Sequence, residues 1–306
     1  MEIRVILRGA LAGLVAGVLG SGFARIFAEP FIDQAIDYEY GRDRLLAVLN
    51  RAAGRPVTAD GPEIFSRHVQ STIGAASGII AFSAAMGALV AVAYLVLHGR
   101  FAVRPRHLAW LIAGFGFLGV YLLPFVKYPA SPPAIGHLFT IGTRSQLYLA
   151  MVAGSLVLLG LAAYLARRLT PRLGVLNATL LSAVAFLVVY SVLIGVLPSL
   201  GDLGANVARQ GQFGYVRAAT ETPQPIVNVL SHPLTAGGRT YAPGQVIYPG
   251  FDADVLWKFR WYSILSQLLI WTAIALTFGA LLDRMTGAAR RAAQAGPDRE
   301  PAGAAT

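Results

Sequence analysis

Residues 5–28 read VILRGALAGLVAGVLGSGFARIFA, and EPFIDQAIDYEYGRD follows at 29–43. The first stretch is long and apolar enough to cross the roughly 30 Å of hydrocarbon that about 20 helical residues span. The second carries Glu29, Asp33, Asp37, Glu39 and Asp43 against a single base, Arg42. A membrane helix therefore ends in an acidic segment. The run is long for the apolar core of a cleaved leader, Arg25 interrupts its end, and no small-x-small site is well placed before Glu29.

Five further runs repeat the pattern at 73–97, 108–126, 147–165, 176–197 and 262–282. Of the 306 residues 56% are hydrophobic and only 13% charged, against about 25% charged in soluble domains. The expectation is an all-α integral membrane protein, a bundle of about six transmembrane helices (five possible) with two long extracytoplasmic loops. Residues 1–284 read as one polytopic domain and 285–306 as a disordered cytoplasmic tail rich in Ala, Gly, Pro and charge.

Orientation follows from the arginines. Arg100, Arg104 and Arg106 crowd one short loop and Arg167, Arg168 and Arg172 another, whereas 127–146 holds only Lys127 and Arg144. Arginine-dense loops stay cytoplasmic, which places both termini inside and 29–72, 127–146 and 198–258 outside. The net charge of +10 thus reflects topology and not a nucleic-acid partner. The expected surroundings are the lipid bilayer of a bacterial inner membrane.

No cysteine is present, which removes disulfides, thiolate metal sites and thiol catalysis. Walker A, G-x-S-x-G and H-E-x-x-H patterns are also missing, so no enzyme is expected. Near the span centres there is no Asp, Glu, Lys or His. The polar inventory there is Ser83, Ser155, Thr179, Ser182, Ser191, Ser263, Ser266, Thr272 and Gln267. That argues against a self-contained proton-coupled carrier and leaves open a path lined by hydroxyls and carbonyls.

Pro30 can open a helix, and on that helix Glu29, Asp33 and Asp37 share one face at i, i+4 and i+8. Two readings stand. The acids can serve a helix N-terminus, whose dipole favours them, or collect a cation that relieves their mutual repulsion. Carboxylates suit Mg, Ca or Mn, and an added imidazole shifts preference toward Co, Ni or Zn. His68 and His137 lie on the same side. On these grounds the candidate outer cation site comprises Glu29, Asp33, Asp37, His68 and His137.

Residues 29–72 read as a helical hairpin turning at 54–62, with stripes at Phe31, Ile32, Ile36, Leu45, Leu46 and Leu49. PIVNVL and TYAPGQVIY flank TAGGR as a short strand pair. Gly9, Gly13 and Gly17 form a doubled G-x-x-x-G for close packing inside the bundle or against a partner. In KYPASPPAIGHLFTIGTR, 127–144, three prolines in five positions forbid regular helix.

Six motifs in order, LRGALAGLVAG, FAEPFIDQAIDYE, FSRHVQSTIG, KYPASPPAIG, RSQLYL and KFRWYSILSQLLIW, resemble the CbtA family of predicted cobalt transporter subunits. The resemblance covers the chain to about Leu282. It implies a bacterial inner-membrane protein of cobalt uptake for cobalamin biosynthesis, with a small, single-span, histidine-containing protein as its partner in the transporter. Self-association is the other partner reading. No resident cofactor is implied, and Co2+ is the expected cargo. The family's Glu-Pro-x-Ile-Asp pattern falls on Glu29, Pro30, Ile32 and Asp33, and its later acid on Glu39. Ser131 stands where Asn is usual, and His137, Leu138 and Phe139 replace acids after Gly136. Five spans are often described for the family, against six here. The competing function is a non-transporting membrane scaffold or assembly protein whose outer loops hold a partner protein.

Overall fold

The computed structural model describes residues 2–57, 66–209 and 220–294. Among them are five helices long and apolar enough to cross a membrane: Glu2–Ala52, Gln70–Leu97, Pro105–Lys127, Leu138–Val196 and Ala253–Met285. The chain is a multi-pass membrane protein. Six apolar runs fit on five helices because α7, Ile141–Val196, carries two of them. Its backbone breaks at Gly174, with φ 75° and ψ 165°, which separates 147–165 from 176–197. The arginine-rich connection expected there as a loop is helical up to that residue.

The first helix also departs from expectation. α1, Glu2–Phe23, passes through a π turn, Ala24–Ala28, into α2, Glu29–Ala52. Pro30 does not open a new helix. A proline ring inside a helix collides with the carbonyl four residues back and leaves it without a donor, and the wider π turn immediately before it accommodates both. The same device recurs in the third span. There α5, Pro105–Gly116, passes through the π segment Phe117–Leu122 into α6, Leu123–Lys127, with Pro124 in its first turn.

The return arm of the expected hairpin is no separate helix. Ser66 caps α3, Arg67–Val69, whose π continuation Gln70–Gly74 runs straight into α4, Ala75–Leu97. Most of the turn at 54–62 falls on residues outside the described ones, although Gly54 already has φ +66°.

The described residues form two compact units. The first takes Met1–Ser21, Ile73–Gly116 and Leu268–Thr306, hence most of α1, α4, α5 and the distal part of α9, Ala253–Gln294. Here Gly9, Gly13 and Gly17 press against α4. A Cβ on Gly17 would stand 2.6 Å from the Ile80 Cα, and one on Gly13 2.7 Å from the Ala84 Cα. Tyr94 packs edge-on against Phe278 at 5.7 Å. Residues 285–294, expected in a structureless tail, continue α9, for MTGAARRAAQ is rich in good helix formers. Residues 295–306 lie outside the described ones.

The second unit takes Gly22–Thr72 and Phe117–Gln267. A helical run of 51 residues is more than twice what a span requires, so much of α2 lies beyond the bilayer, and a small fold packs on it. In that fold β1, Ile226–Val227, pairs antiparallel with β4, Val246–Tyr248. Inside this pair nests a second hairpin of β2, Leu234–Ala236, and β3, Arg239–Tyr241. Leu49 of α2 joins Ile226, Leu234 and Ile247 in one buried cluster. Gly41 gives Tyr248 room, since a Cβ there would lie 3.1 Å from its Cζ. What reads as a loop at 198–258 is therefore partly a folded cap with its own core.

Candidate functional site

Glu29 and Asp33 stand one turn apart on α2 and share one guanidinium. Arg67 Nη2 lies 2.8 Å from Glu29 Oε1 and 2.9 Å from Asp33 Oδ1. Arg25 adds a longer contact to Glu29, 3.6 Å. Glu29 is buried and Asp33 exposed.

The helix-cap reading of these acids does not hold. Ala28 is already helical and the Glu29 N–H donates to the Ala24 carbonyl, so the backbone leaves no free helix N-terminus for them to serve.

One and two turns further along α2, Asp37 is exposed and Glu39 half-buried. Asp37 edges an open depression of about 1030 Å³, with Asp43, Arg42, Arg44, Asn50 and Leu138 among its walls. The backbone of His68 belongs to α3, and its side chain is outside the described ones. Among the described residues no three His, Asp or Glu side chains stand together as metal ligands.

His137 belongs to another cluster, centred on Glu221. This buried carboxylate accepts the His137 backbone N–H at 2.8 Å and the Asn206 amide at 2.8 Å. The Thr140 hydroxyl stands 2.6 Å from it, and Arg144 Nε 3.3 Å. Four groups thus converge on one carboxylate and fasten the end of the proline-rich segment. The rest of that segment is held at its backbone and by one side chain: Arg260 donates to the Ala130 carbonyl at 3.1 Å, and the Tyr128 hydroxyl donates to the Pro198 carbonyl at 2.8 Å. Gly136, at φ +119°, has Arg144 Nη1 2.6 Å from where its Cβ would be, so the guanidinium passes over a position that tolerates only glycine.

Neither Glu221 nor Arg67 stands out in the sequence. The available signal for Glu221 is that it is the lone acid between Asp202 and Asp252. For Arg67 it is a base a few residues before an apolar run.

A family model described as probable cobalt transporter subunit (CbtA) matches residues 2–283. The chain belongs to the CbtA family. No curated protein and no solved structure matches it. The family is described as a probable cobalt transporter subunit, and the word subunit implies a partner in a complex. Within this CbtA chain the proline-rich segment and the acidic helix α2 both belong to the second compact unit.

Burial holds the His137 imidazole below its ordinary value of 6.5; Glu221 and the bond to the Thr220 carbonyl oppose this, and Arg42 and Arg144 reinforce it. The unfolded chain binds a proton as pH falls through about 6.5, whereas the native imidazole resists until lower pH. Stability contributed here is therefore complete above about pH 6.5 and declines on acidification from that point until the native ring protonates. Thermal melts of detergent-solubilised protein from about pH 7.5 to 5 should show this decline, and His137→Gln should flatten it. Parallel profiles for the two proteins would refute the assignment.

Proposed function

We propose that this chain is the membrane component of a divalent transition-metal importer with cobalt as cargo, and that the cation is first collected on the outward face of α2. Both termini are inside a bacterial inner membrane in this reading. A small single-span protein bearing histidines, or a second copy of the chain, completes the complex. Glu29 and Asp33 are the leading ligands, with Glu39, Asp37, His68 and His137 as further candidates.

The observation that carries the site is the Arg67 guanidinium held between two carboxylates at 2.8 and 2.9 Å. One positive group already bridges the pair, so its geometry suits a shared cation. Carboxylate oxygens accept Co2+, though they prefer harder ions, which is why an imidazole from these candidates or from a partner belongs to the reading.

The test is radiolabelled Co2+ accumulation in cells lacking other cobalt importers, with and without the partner. Glu29→Gln combined with Asp33→Asn is expected to abolish most uptake while the protein reaches the membrane at normal abundance. Unchanged uptake in that double variant would sink the role of the acids. A wild-type chain that confers no uptake beside its partner would favour the scaffold instead.

A further inference from the structure

We propose that Tyr121, Ser155 and Ser182 line a polar path for the cation through the second unit, an inference that rests on the cobalt reading above. Each of these hydroxyl oxygens is buried and has no hydrogen-bond partner among the described residues. Ser155 is 0% and Ser182 2% exposed. A helical serine or threonine has an easy remedy, the carbonyl four residues back. Thr170, Thr179, Ser191 and Ser263 all take it, donating to Ala166, Val175, Leu187 and Phe259. Ser155 and Ser182 do not, although an unpaired buried donor in a bilayer has no water to turn to.

Their placement is ordered. Tyr148, Met151 and Ser155 fall on one face of the first half of α7, and Ser182, Phe186 and Tyr190 on one face of the second. Met151 and Tyr190 belong to a single buried cluster, with Tyr148 and Phe186 packed against it. The Tyr148 hydroxyl donates to the Val120 carbonyl at 3.2 Å, beside Tyr121. That carbonyl has no donor four residues on, where Pro124 stands. Counted at 1.5 Å per residue from the span ends nearest the proline-rich segment, the three residues lie about 8, 12 and 22 Å along their helices. They form a descending series across one bilayer thickness. Neutral oxygens suit passage, because a site must bind weakly enough to release the ion onward.

The chain has no cysteine, so single replacements report without background. Tyr121→Cys, Ser155→Cys and Ser182→Cys should react in membranes with 2-aminoethyl methanethiosulfonate and be protected by Cd2+. Ser83→Cys is the comparison: Ser83 is equally buried and unpaired, but it sits under Gly13 in the first unit and should stay unlabelled. No labelling of the Ser155 and Ser182 variants, or labelling indifferent to Cd2+, would overturn the path. In a second arm, Ser155→Ala with Ser182→Ala should melt no lower than wild type, since an unpaired hydroxyl is removed, yet lose most Co2+ uptake. Full uptake, or a melting temperature that falls together with uptake, would also overturn it. The labelling arm needs no uptake, so a wild-type chain that moves no cobalt would defeat the cobalt reading and leave the path separately decided.

Discussion

Replacing Glu221 by alanine is expected to destabilise the second unit by about 3–5 kcal/mol, the usual loss when one partner of a buried charge pair is removed. The magnitude follows from what is left behind. Arg144, 3.3 Å from the carboxylate, would keep its charge in a partly buried place. The His137 N–H, the Thr140 hydroxyl and the Asn206 amide would each lose an acceptor at 2.8, 2.6 and 2.8 Å. Glu221→Gln should cost less, because its amide oxygen still faces His137, Thr140 and Arg144 while its NH2 group confronts only Asn206. Thermal or denaturant unfolding in detergent measures both variants. Pairing Glu221→Ala with Arg144→Ala in a double-mutant cycle should recover part of the loss, since the stranded charge is gone. An alanine variant that melts with wild type, or a cycle without coupling, would mean that the four contacts do not act as a clasp.

The apolar spans were legible because twenty-residue hydrophobic runs admit few other readings. Their number was less so. One glycine, Gly174, decides whether 141–196 is one helix or two, and a single backbone torsion leaves no periodic trace. Pro30 misled in a different way: a proline before an amphipathic stretch ordinarily marks a helix start, and a π turn that carries the helix through it changes no hydrophobic period.

The stripe Leu45, Leu46 and Leu49 was visible, but its partners Ile226, Leu234 and Ile247 lie far along the chain. No local pattern links them. The outer β1–β4 pair falls within PIVNVL and TYAPGQVIY as read, whereas the nested β2–β3 hairpin is centred on TAGGR between them. In the candidate site the acids of α2 announced themselves by number. The groups that hold them and the proline-rich segment, Arg67 and Glu221, are single charges in polar stretches, where charge is ordinary. Tertiary placement alone distinguishes them.

Gly13→Val should be the most damaging single change in the first unit. Even a lone methyl at Gly13 would meet backbone: the Ala84 Cα and the Ser83 carbonyl carbon both at 2.7 Å. Neither can rotate away, so α1 and α4 must separate. In a bilayer that loss is not repaid by a hydrophobic term, because helix association there depends on close packing itself. Overpacking of this kind costs about 1–3 kcal/mol and more where backbone is the obstacle, and valine adds two methyl groups beyond the first. Gly78 supplies the control on α4, where a Cβ would meet nothing within 4 Å. Gly78→Ala should be neutral or gain up to about 1 kcal/mol from helix propensity. Membrane abundance and melting in detergent should therefore rank Gly78→Ala with wild type, Gly13→Ala below it and Gly13→Val lowest. Equal stability for Gly13→Ala and Gly78→Ala would show that the α1 glycines are not what brings the two helices together.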